Sequence, residues 1–326
     1  MLNYLSFLAK ITPKIKRPAM QKDFLSTQNL SKNDILAILE RAKHFKKLGK
    51  SENKHENLLE GKSVLSAFFE NSTRTRMSFE LAAKRLGADV LSLNPNISST
   101  AKGESLIDTI KNLSSMQNSF FVVRHFNSGA AQFIAKNTSA HVLNAGDGCN
   151  EHPSQAMLDI FTILEHLDGV NFKDLSPIKG AKISIIGDIF HSRVARSNIY
   201  AMQGLGADIT LFGPPACLRH ASVFKCKIAK NLKEAISGAD VLIMLRIQLE
   251  RSKDEVALPA EYPKYFGINE NSLKDAKKGV LILHPGPVNR GVEMSSGVLD
   301  NTSLAYEQVE NGVAVRMAIL SLLANK

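Results

Sequence analysis

The stretch that decides the fold is Phe-Phe-Glu-Asn-Ser-Thr-Arg-Thr-Arg, from Phe68 to Arg76. The apolar run before it, residues 63–69, predicts a buried strand. In the run that follows, Met77, Leu81 and Ala82 share one face of a predicted helix, which Gly87 ends. The polar residues therefore lie between the end of a strand and the start of a helix.

This junction is suited to an anion. The free N–H groups and the dipole of a helix N-terminus favour negative charge. Arg74 and the neighbouring hydroxyls add donors that fit a compact, doubly charged group such as phosphate. The simpler alternative is a Ser/Thr helix cap with its arginines in solvent. Five consecutive polar residues favour the anion site. A nucleotide P-loop is excluded because no glycine-rich run ends in Lys-Ser/Thr.

Length and composition set the broad class. The chain has 326 residues, 44% of them hydrophobic, which is enough for about two domains with cores. No apolar run approaches the length of a membrane span. The three cysteines, Cys149, Cys217 and Cys226, lack metal-ligand spacing. We therefore expect a reduced, cytoplasmic protein without a membrane or metal partner.

The net charge of +10 does not indicate nucleic-acid binding. Five of the positive charges lie in the first 22 residues, which contain no acid: Lys10, Lys14, Lys16, Arg17 and Lys22. The sequence has no basic stripe with interleaved aromatic residues and no zinc-finger spacing. No nucleic-acid partner is predicted. Residues 1–20 form an N-terminal extension to which no role is assigned.

Strands and helices alternate along the rest of the chain. After the first strand, buried runs at 89–93, 120–123 and 141–145 predict three more, and a second series follows at 181–187, 208–212, 240–245 and 279–284. This alternation predicts an α/β fold with two doubly wound parallel sheets linked by helices. The turn at 187–192 lacks the glycines of a dinucleotide site, so no cofactor is predicted.

The polar residues after these strands are rich in fixed positive charge. Arg74 and Arg124 belong to the first series, and Arg193 and Arg246 to the second. Guanidinium groups cannot act as bases, and no Gly-x-Ser-x-Gly elbow is present. The residues indicate catalysis by positioning and charge stabilisation. We expect a phosphorylated small molecule to react with a carboxylate-bearing one in a cleft between two domains.

His152 stands before Pro153 at the start of a predicted helix. A lone histidine before proline is often only structural. At a helix start, however, the pKa of an imidazole falls, so that the neutral ring can donate to a carbonyl oxygen.

The motifs together resemble the aspartate/ornithine carbamoyltransferase family from about Met20 onward, and within it the catalytic chains that act on aspartate. The matching segments are 68–76, Lys102-Gly103-Glu104, Arg124-His125, 144–148, 152–155, Arg246-Ile247-Gln248 and His284-Pro285-Gly286-Pro287. The ornithine branch usually carries His-Cys-Leu-Pro and a Ser-Met-Gly loop, and neither occurs here.

The resemblance implies carbamoyl transfer from carbamoyl phosphate to L-aspartate, the committed step of pyrimidine biosynthesis, without metal or organic cofactor. It implies a catalytic set of Arg74, Thr75, Lys102, Arg124 and His152. Carbamoyl phosphate would bind to Ser72, Thr73, Arg74, Thr75, Arg124, His152, Gln155, Pro285 and Gly286. Aspartate would bind to Lys102, Arg193, Arg246 and Gln248. Glu70 would pair with Arg193 and Arg251 on domain closure, and a cis peptide is expected before Pro287.

The same resemblance implies the domain organisation and the assembly. Residues 21–152 would bind carbamoyl phosphate, residues 153–305 would bind aspartate, and residues 306–326 would form a helix that packs back on the first domain. A homotrimer is implied, in which Ser98 and Lys102 enter a neighbouring subunit's site. Regulatory or dihydroorotase chains are left open as partners. Two alternatives stay open: transfer to another amino acid such as ornithine, and a non-catalytic scaffold.

Overall fold

The computed structural model describes residues 21–93, 103–167, 173–247 and 261–324, which fold into two α/β halves. The first half contains helix α1 (Lys32–Gly49), strand β1 (Ser63–Phe68), α2 (Thr73–Arg85), β2 (Asp89–Leu93), α3 (Leu106–Ser115), β3 (Phe120–His125), α4 (Ala130–Lys136), β4 (His141–Asp147) and α5 (Pro153–Leu167). The predicted strands of this half all form, with bounds that differ by one or two residues.

The second half continues the same alternation. It contains β5 (Lys182–Ile186), α6 (Arg193–Gly204), β6 (Asp208–Phe212), β7 (Lys227–Ile228), α7 (Leu232–Ile236), β8 (Val241–Met244), α8 (Tyr262–Tyr265), β9 (Leu281–Leu283), α9 (Ser296–Asn301) and α10 (Ala305–Ala324). The four predicted strands form again. The two-residue strand β7 and the short helices α4, α7, α8 and α9 were not predicted, because each is too short to show a periodic pattern.

Both sheets are parallel, as predicted. The first has the order β2-β1-β3-β4 and the second the order β7-β6-β5-β8-β9. In each sheet the strand order reverses at one place, between β1 and β3 and between β5 and β8. A crevice opens at such a switch point, beyond the carboxyl ends of the two strands. The two crevices receive the residues after β1, β3, β5 and β8.

Helices α5 and α10 join the halves. The hydrophobic core runs from α1, α2 and the first sheet through α5, α6 and α10 to strands β5, β6 and β8. Helix α10 packs against α1, α2 and α5, all of which belong to the first half. It spans Ala305–Ala324, where the predicted helix covers residues 306–326. The predicted domain boundaries at residues 152 and 305 stay predictions.

One predicted face is wrong. Met77 and Leu81 are exposed, at 63% and 40% of their accessible surface. The buried side of α2 carries Phe79, Ala82 and Ala83 instead, because this side faces β1 and α10. The apolar side chains of Met77 and Leu81 therefore lie on the outer surface of this chain. Within the described ranges, no helix is long and apolar enough to span a bilayer.

Candidate active site

The N-terminus of α2 has unused hydrogen-bonding capacity. Four other helices begin with a serine whose hydroxyl accepts a backbone N–H of the first turn: Ser31, Ser105, Ser192 and Ser295. Ser72 occupies the same position on α2, but its hydroxyl makes no such bond. The first turn of α2 also carries no acidic side chain. The end of this helix therefore presents free N–H groups and hydroxyls to an incoming anion.

Arg124 comes to this helix end from β3. Residue 68 of β1 pairs with residue 124 of β3, so the two strands end together. The Arg124 Nη1 donates to the Ala145 carbonyl at 3.4 Å, and its Nε lies 3.6 Å from the Glu70 carboxylate. Parallel pairing thus places a guanidinium beside the Ser72–Thr75 segment, as the sequence predicted.

His152 lies at the start of α5 with its backbone held from two sides. Its N–H donates to the Ser197 hydroxyl at 2.8 Å, and that hydroxyl donates to Glu151 at 3.0 Å. Glu151 in turn accepts from the backbone N–H and the hydroxyl of Thr27. The His152 Nε2 is then 3.5 Å from the Thr75 hydroxyl. A buried carboxylate therefore anchors the segment that points the imidazole at the helix end.

The imidazole of His152 stays neutral. Burial lowers the pKa of His152 well below 6.5, and the charges of Arg124, Arg316 and Arg193 lower it further. The sequence predicted this direction but attributed it to the helix start. The larger cause is desolvation, because His152 is only 4% exposed.

Arg193 closes the cleft from the second half. It is the first residue of α6, and its Nη1 donates to the Glu70 carboxylate at 2.8 Å and to the Gly148 carbonyl at 3.3 Å. Gly146, at φ +118°, lies against the same guanidinium: a Cβ there would sit 2.9 Å from the Arg193 Nε. The predicted contact between Glu70 and Arg193 is therefore present in the structure.

The segment after β9 forms the remaining wall. His284 accepts the Gly286 N–H on its Nδ1 at 2.8 Å, and the Gly286–Pro287 peptide is cis, as expected. Gly286 has φ +65° and lies against the Arg74 side chain. Burial lowers the pKa of His284 to about 3, helped by the charges of Arg74 and Arg246. Burial and the charge of Arg246 also lower the pKa of Arg74.

All these groups line one cavity of about 710 Å³. Its walls carry Glu70, Ser72, Thr73, Arg74, Thr75, Arg124, His152, Gln155, Arg193, Arg246, Pro285 and Gly286, which are the predicted site residues within the described ranges. Ser98, Lys102, Gln248 and Arg251 lie outside the described residues. Arg76, which the sequence placed at the same junction, donates instead to Glu80 at 2.9 Å and does not line the cavity.

Several helix residues that line the cavity were not predicted from the sequence. Gln308 and Arg316 reach the cavity from α10, and Leu158 from α5. Arg316 is a lone charge between apolar residues, a signal of a buried functional side chain that could have been read. Among the described residues, no group of three or more His, Cys, Asp or Glu side chains is placed to hold a metal ion.

The chain is similar to known carbamoyltransferases. Residues 22–165 match the model of the aspartate/ornithine carbamoyltransferase carbamoyl-P binding domain, and residues 179–323 match that of the Asp/Orn binding domain. An aspartate carbamoyltransferase catalytic subunit from Campylobacter fetus is 55% identical over 308 residues, which is 93% of this chain and 97% of the relative. Further catalytic subunits of this kind are 46–53% identical.

Two solved structures have a fold similar to that of this chain. An aspartate transcarbamoylase from Trypanosoma cruzi, in complex with carbamoyl phosphate and aspartate, has a TM-score of 0.80 and 30% identity, covering 94% of this chain and 98% of that one. An ornithine carbamoyltransferase from Pyrococcus furiosus has a TM-score of 0.77 and 29% identity, covering 92% and 96%. This chain belongs to the aspartate/ornithine carbamoyltransferase family, and the predicted family and fold class are confirmed.

Proposed function

We propose that the chain transfers the carbamoyl group of carbamoyl phosphate to the amino group of L-aspartate, giving N-carbamoyl-L-aspartate and phosphate. Relatives of 46–55% identity are aspartate carbamoyltransferase catalytic subunits, and a solved relative of 30% identity is in complex with carbamoyl phosphate and aspartate. The product would supply carbamoylated aspartate for pyrimidine biosynthesis. The residue roles that follow are our proposal, and the cavity supports them.

Carbamoyl phosphate binds to the wall formed by the first half. The phosphate accepts hydrogen bonds from Ser72, Thr73, Arg74 and Thr75 at the uncapped start of α2, and from Arg124. The carbamoyl oxygen lies towards Thr75, Arg124 and His152. Its NH2 group donates to Gln155 and to the Pro285 carbonyl.

The reaction needs little proton chemistry from the protein. The neutral aspartate amine attacks the carbamoyl carbon, and negative charge develops on the carbamoyl oxygen. Arg124 and His152 stabilise this charge as fixed donors; a donor of this kind is worth ~10²–10³ in kcat. The bond from carbon to the phosphate oxygen then breaks. The leaving phosphate takes the amine proton, so atoms and charge balance without a protein base.

One observation favours aspartate over ornithine. Among the described residues, the cavity is lined by one acid, Glu70, which is already paired with Arg193, and by five arginines: Arg74, Arg124, Arg193, Arg246 and Arg316. A side-chain carboxylate is attracted to such a wall, whereas the ammonium group of ornithine is repelled. Arg193 and Arg246, with Gln248 and Lys102 from outside the described ranges, would hold the aspartate carboxylates.

The direct test is a carbamoylation assay with purified protein, carbamoyl phosphate and either amino acid. We expect N-carbamoyl-L-aspartate and no citrulline. Arg246→Ala should abolish aspartate turnover while the protein still binds phosphate. Formation of citrulline would favour the ornithine alternative, and no product with either amino acid would favour the scaffold.

We also propose that the active form is a homotrimer in which Ser98 and Lys102 of one subunit enter the neighbouring site. The exposed apolar residues Met77, Leu81 and Leu91 support this proposal, because they lie in the same half as β2, the strand that leads into residues 94–102. Mixing inactive Lys102→Ala and Arg74→Ala subunits should restore partial activity, since some shared sites then receive an intact Arg74 from one subunit and an intact Lys102 from its neighbour. Complete absence of rescue would contradict shared sites.

A further inference from the structure

A buried carboxylate connects three walls of the cavity without lining it. Asp159 lies one helical turn after Gln155 on α5 and is fully buried. Its Oδ1 accepts from the Gln155 Nε2 at 2.9 Å and from the Gln308 Nε2 at 2.7 Å. Its Oδ2 accepts from the Asn198 Nδ2 at 2.8 Å. One side chain therefore joins helices α5, α10 and α6.

This contact fixes which way the Gln155 amide points. A carboxylate offers no hydrogen, so only the NH2 end of the amide can face it. The carbonyl Oε1 of Gln155 must then be directed away from Asp159. Gln155 lines the cavity, and no donor among the described residues reaches this oxygen. A hydrogen-bond acceptor is thus held ready for a ligand group that donates.

The same carboxylate acts on the opposite wall through Gln308. With its Nε2 bound to Asp159, Gln308 turns its Oε1 to the backbone N–H of His284, which donates at 2.8 Å. His284 starts the segment that carries the Pro285 carbonyl. Asp159 therefore orients both acceptors proposed for the carbamoyl NH2, the Gln155 Oε1 directly and the Pro285 carbonyl through Gln308 and His284.

We propose that Asp159 is a positioning residue that selects the NH2 group of the carbamoyl donor by fixing the Gln155 amide directly and the Pro285 segment through Gln308. This inference rests on the proposed function, and it adds the reason why the site distinguishes a carbamoyl group from a group of the same shape that cannot donate.

The test compares carbamoyl phosphate with acetyl phosphate, in which a methyl group replaces the NH2. Both affinities are measured by calorimetry on the full-length protein without aspartate. The wild-type protein should bind carbamoyl phosphate more tightly. Asp159→Ala frees the Gln155 amide to turn its NH2 into the cavity, so the affinity ratio should fall about tenfold, as expected for one lost hydrogen bond. The affinity for acetyl phosphate should change little.

Two further variants separate positioning from stability. Asp159→Asn should restore the ratio, because its oxygen still accepts from both glutamines. Its NH2 replaces the oxygen that accepts from the Asn198 Nδ2, and it can donate to the Asn198 Oδ1, a buried atom with no partner, once the Asn198 amide turns over. Asn311→Ala is the matched control: Asn311 is a buried amide on α10 whose side chain donates to Thr162 and Glu165 of α5 and not to Gln155, Gln308 or Asp159. It should lower the unfolding temperature and leave the ratio unchanged.

The outcomes are distinct. If Asp159→Ala does not fold, Asp159→Leu fills the volume and removes the same acceptors. If either variant loses affinity for carbamoyl phosphate and acetyl phosphate equally, the affinity ratio is unchanged, and the positioning role is overturned. Wild-type protein that carbamoylates no amino acid would instead overturn the proposed function. Discrimination by the wild type that disappears in Asp159→Ala and returns in Asp159→Asn supports the inference.

Discussion

Glu70 offers the sharpest separation between the two substrates. Its carboxylate lies between a guanidinium assigned to aspartate, Arg193 at 2.8 Å, and one assigned to the phosphate side, Arg124 at 3.6 Å. The Arg193 and Glu70 side chains are only 10% and 21% exposed. Glu70 therefore holds one edge of the Arg193 fork in a fixed direction, and it also reduces the positive potential around Arg124.

Glu70→Ala should change the two affinities in opposite directions. A hydrogen bond to a charged group is worth about 1.5–3 kcal/mol, and partial exposure brings this pair to the lower end of that range. At 1.4 kcal/mol for each factor of ten, we expect KM for aspartate to rise about tenfold. The affinity for carbamoyl phosphate should stay the same or increase, because a negative charge near Arg124 has been removed.

The measurement is steady-state kinetics with each substrate varied, together with calorimetric binding of carbamoyl phosphate alone. Glu80→Ala is a suitable control: Glu80 pairs with Arg76 at 2.9 Å within α2 and does not line the cavity. Equal weakening of both substrates would mean that Glu70 only stabilises the fold. An unchanged KM for aspartate would show that domain closure does not depend on this pair.

Three further predictions concern single groups. Because burial lowers the pKa of His152 well below 6.5, its imidazole NMR signals should not titrate between pH 6 and 8, and a midpoint near 6.5 would contradict the assigned neutral donor. Gly286→Ala should weaken carbamoyl phosphate binding about fivefold to tenfold. A Cβ at φ +65° costs about 1 kcal/mol, and it would lie 3.0 Å from the Arg74 Cζ. The control is Gly180→Ala, at φ +75° with open space around it, which should lower the stability without weakening binding. Burial raises the pKa of Asp159 from 3.8 to about 6, so the folded chain holds this proton more tightly than the unfolded chain. The protein should therefore lose up to ~3 kcal/mol of stability as pH rises from about 4 to about 6. Urea unfolding of Asp159→Asn should lack this part of the dependence of stability on pH.

The sequence was sufficient for the fold because its buried strands are long and strongly apolar. Each predicted strand appears in a parallel sheet, and the polar residues after β1, β3, β5 and β8 meet at the two switch points. Periodicity was weaker for helices. Met77 and Leu81 matched a buried face only because they are apolar, whereas the packed face of α2 is made of Phe79 and two alanines. The apolar character of a side chain alone does not show whether it lies in the core or on an exposed surface.

Within the site, the residues next to strand ends were predictable, and those on helix interiors were not. Four arginines lie at the carboxyl end of a strand or at the start of a helix, which is where ligands bind in parallel sheets: Arg74, Arg124, Arg193 and Arg246. Gln308 and Arg316 lie on a long helix, whose direction towards the cavity depends on how α10 returns to the first half. No local pattern contains that information, since it arises from packing between distant segments.

Asp159 and Arg316 show what a lone charge inside an apolar helix is for. Both are buried, and the charge of each makes the other's ionised state easier to hold, yet burial still raises the pKa of Asp159 and lowers that of Arg316 to about 10. The ionised carboxylate therefore costs stability at neutral pH, and an apolar side chain of similar size is often no worse for a fold. What an apolar side chain cannot do is force two amides to point one way. A carboxylate accepts and never donates, so the orientations of Gln155 and Gln308 have a single solution. Burying Asp159 thus costs stability, but it fixes the orientation of the amide groups that face the cavity. Recognition of an NH2 group requires this fixed orientation.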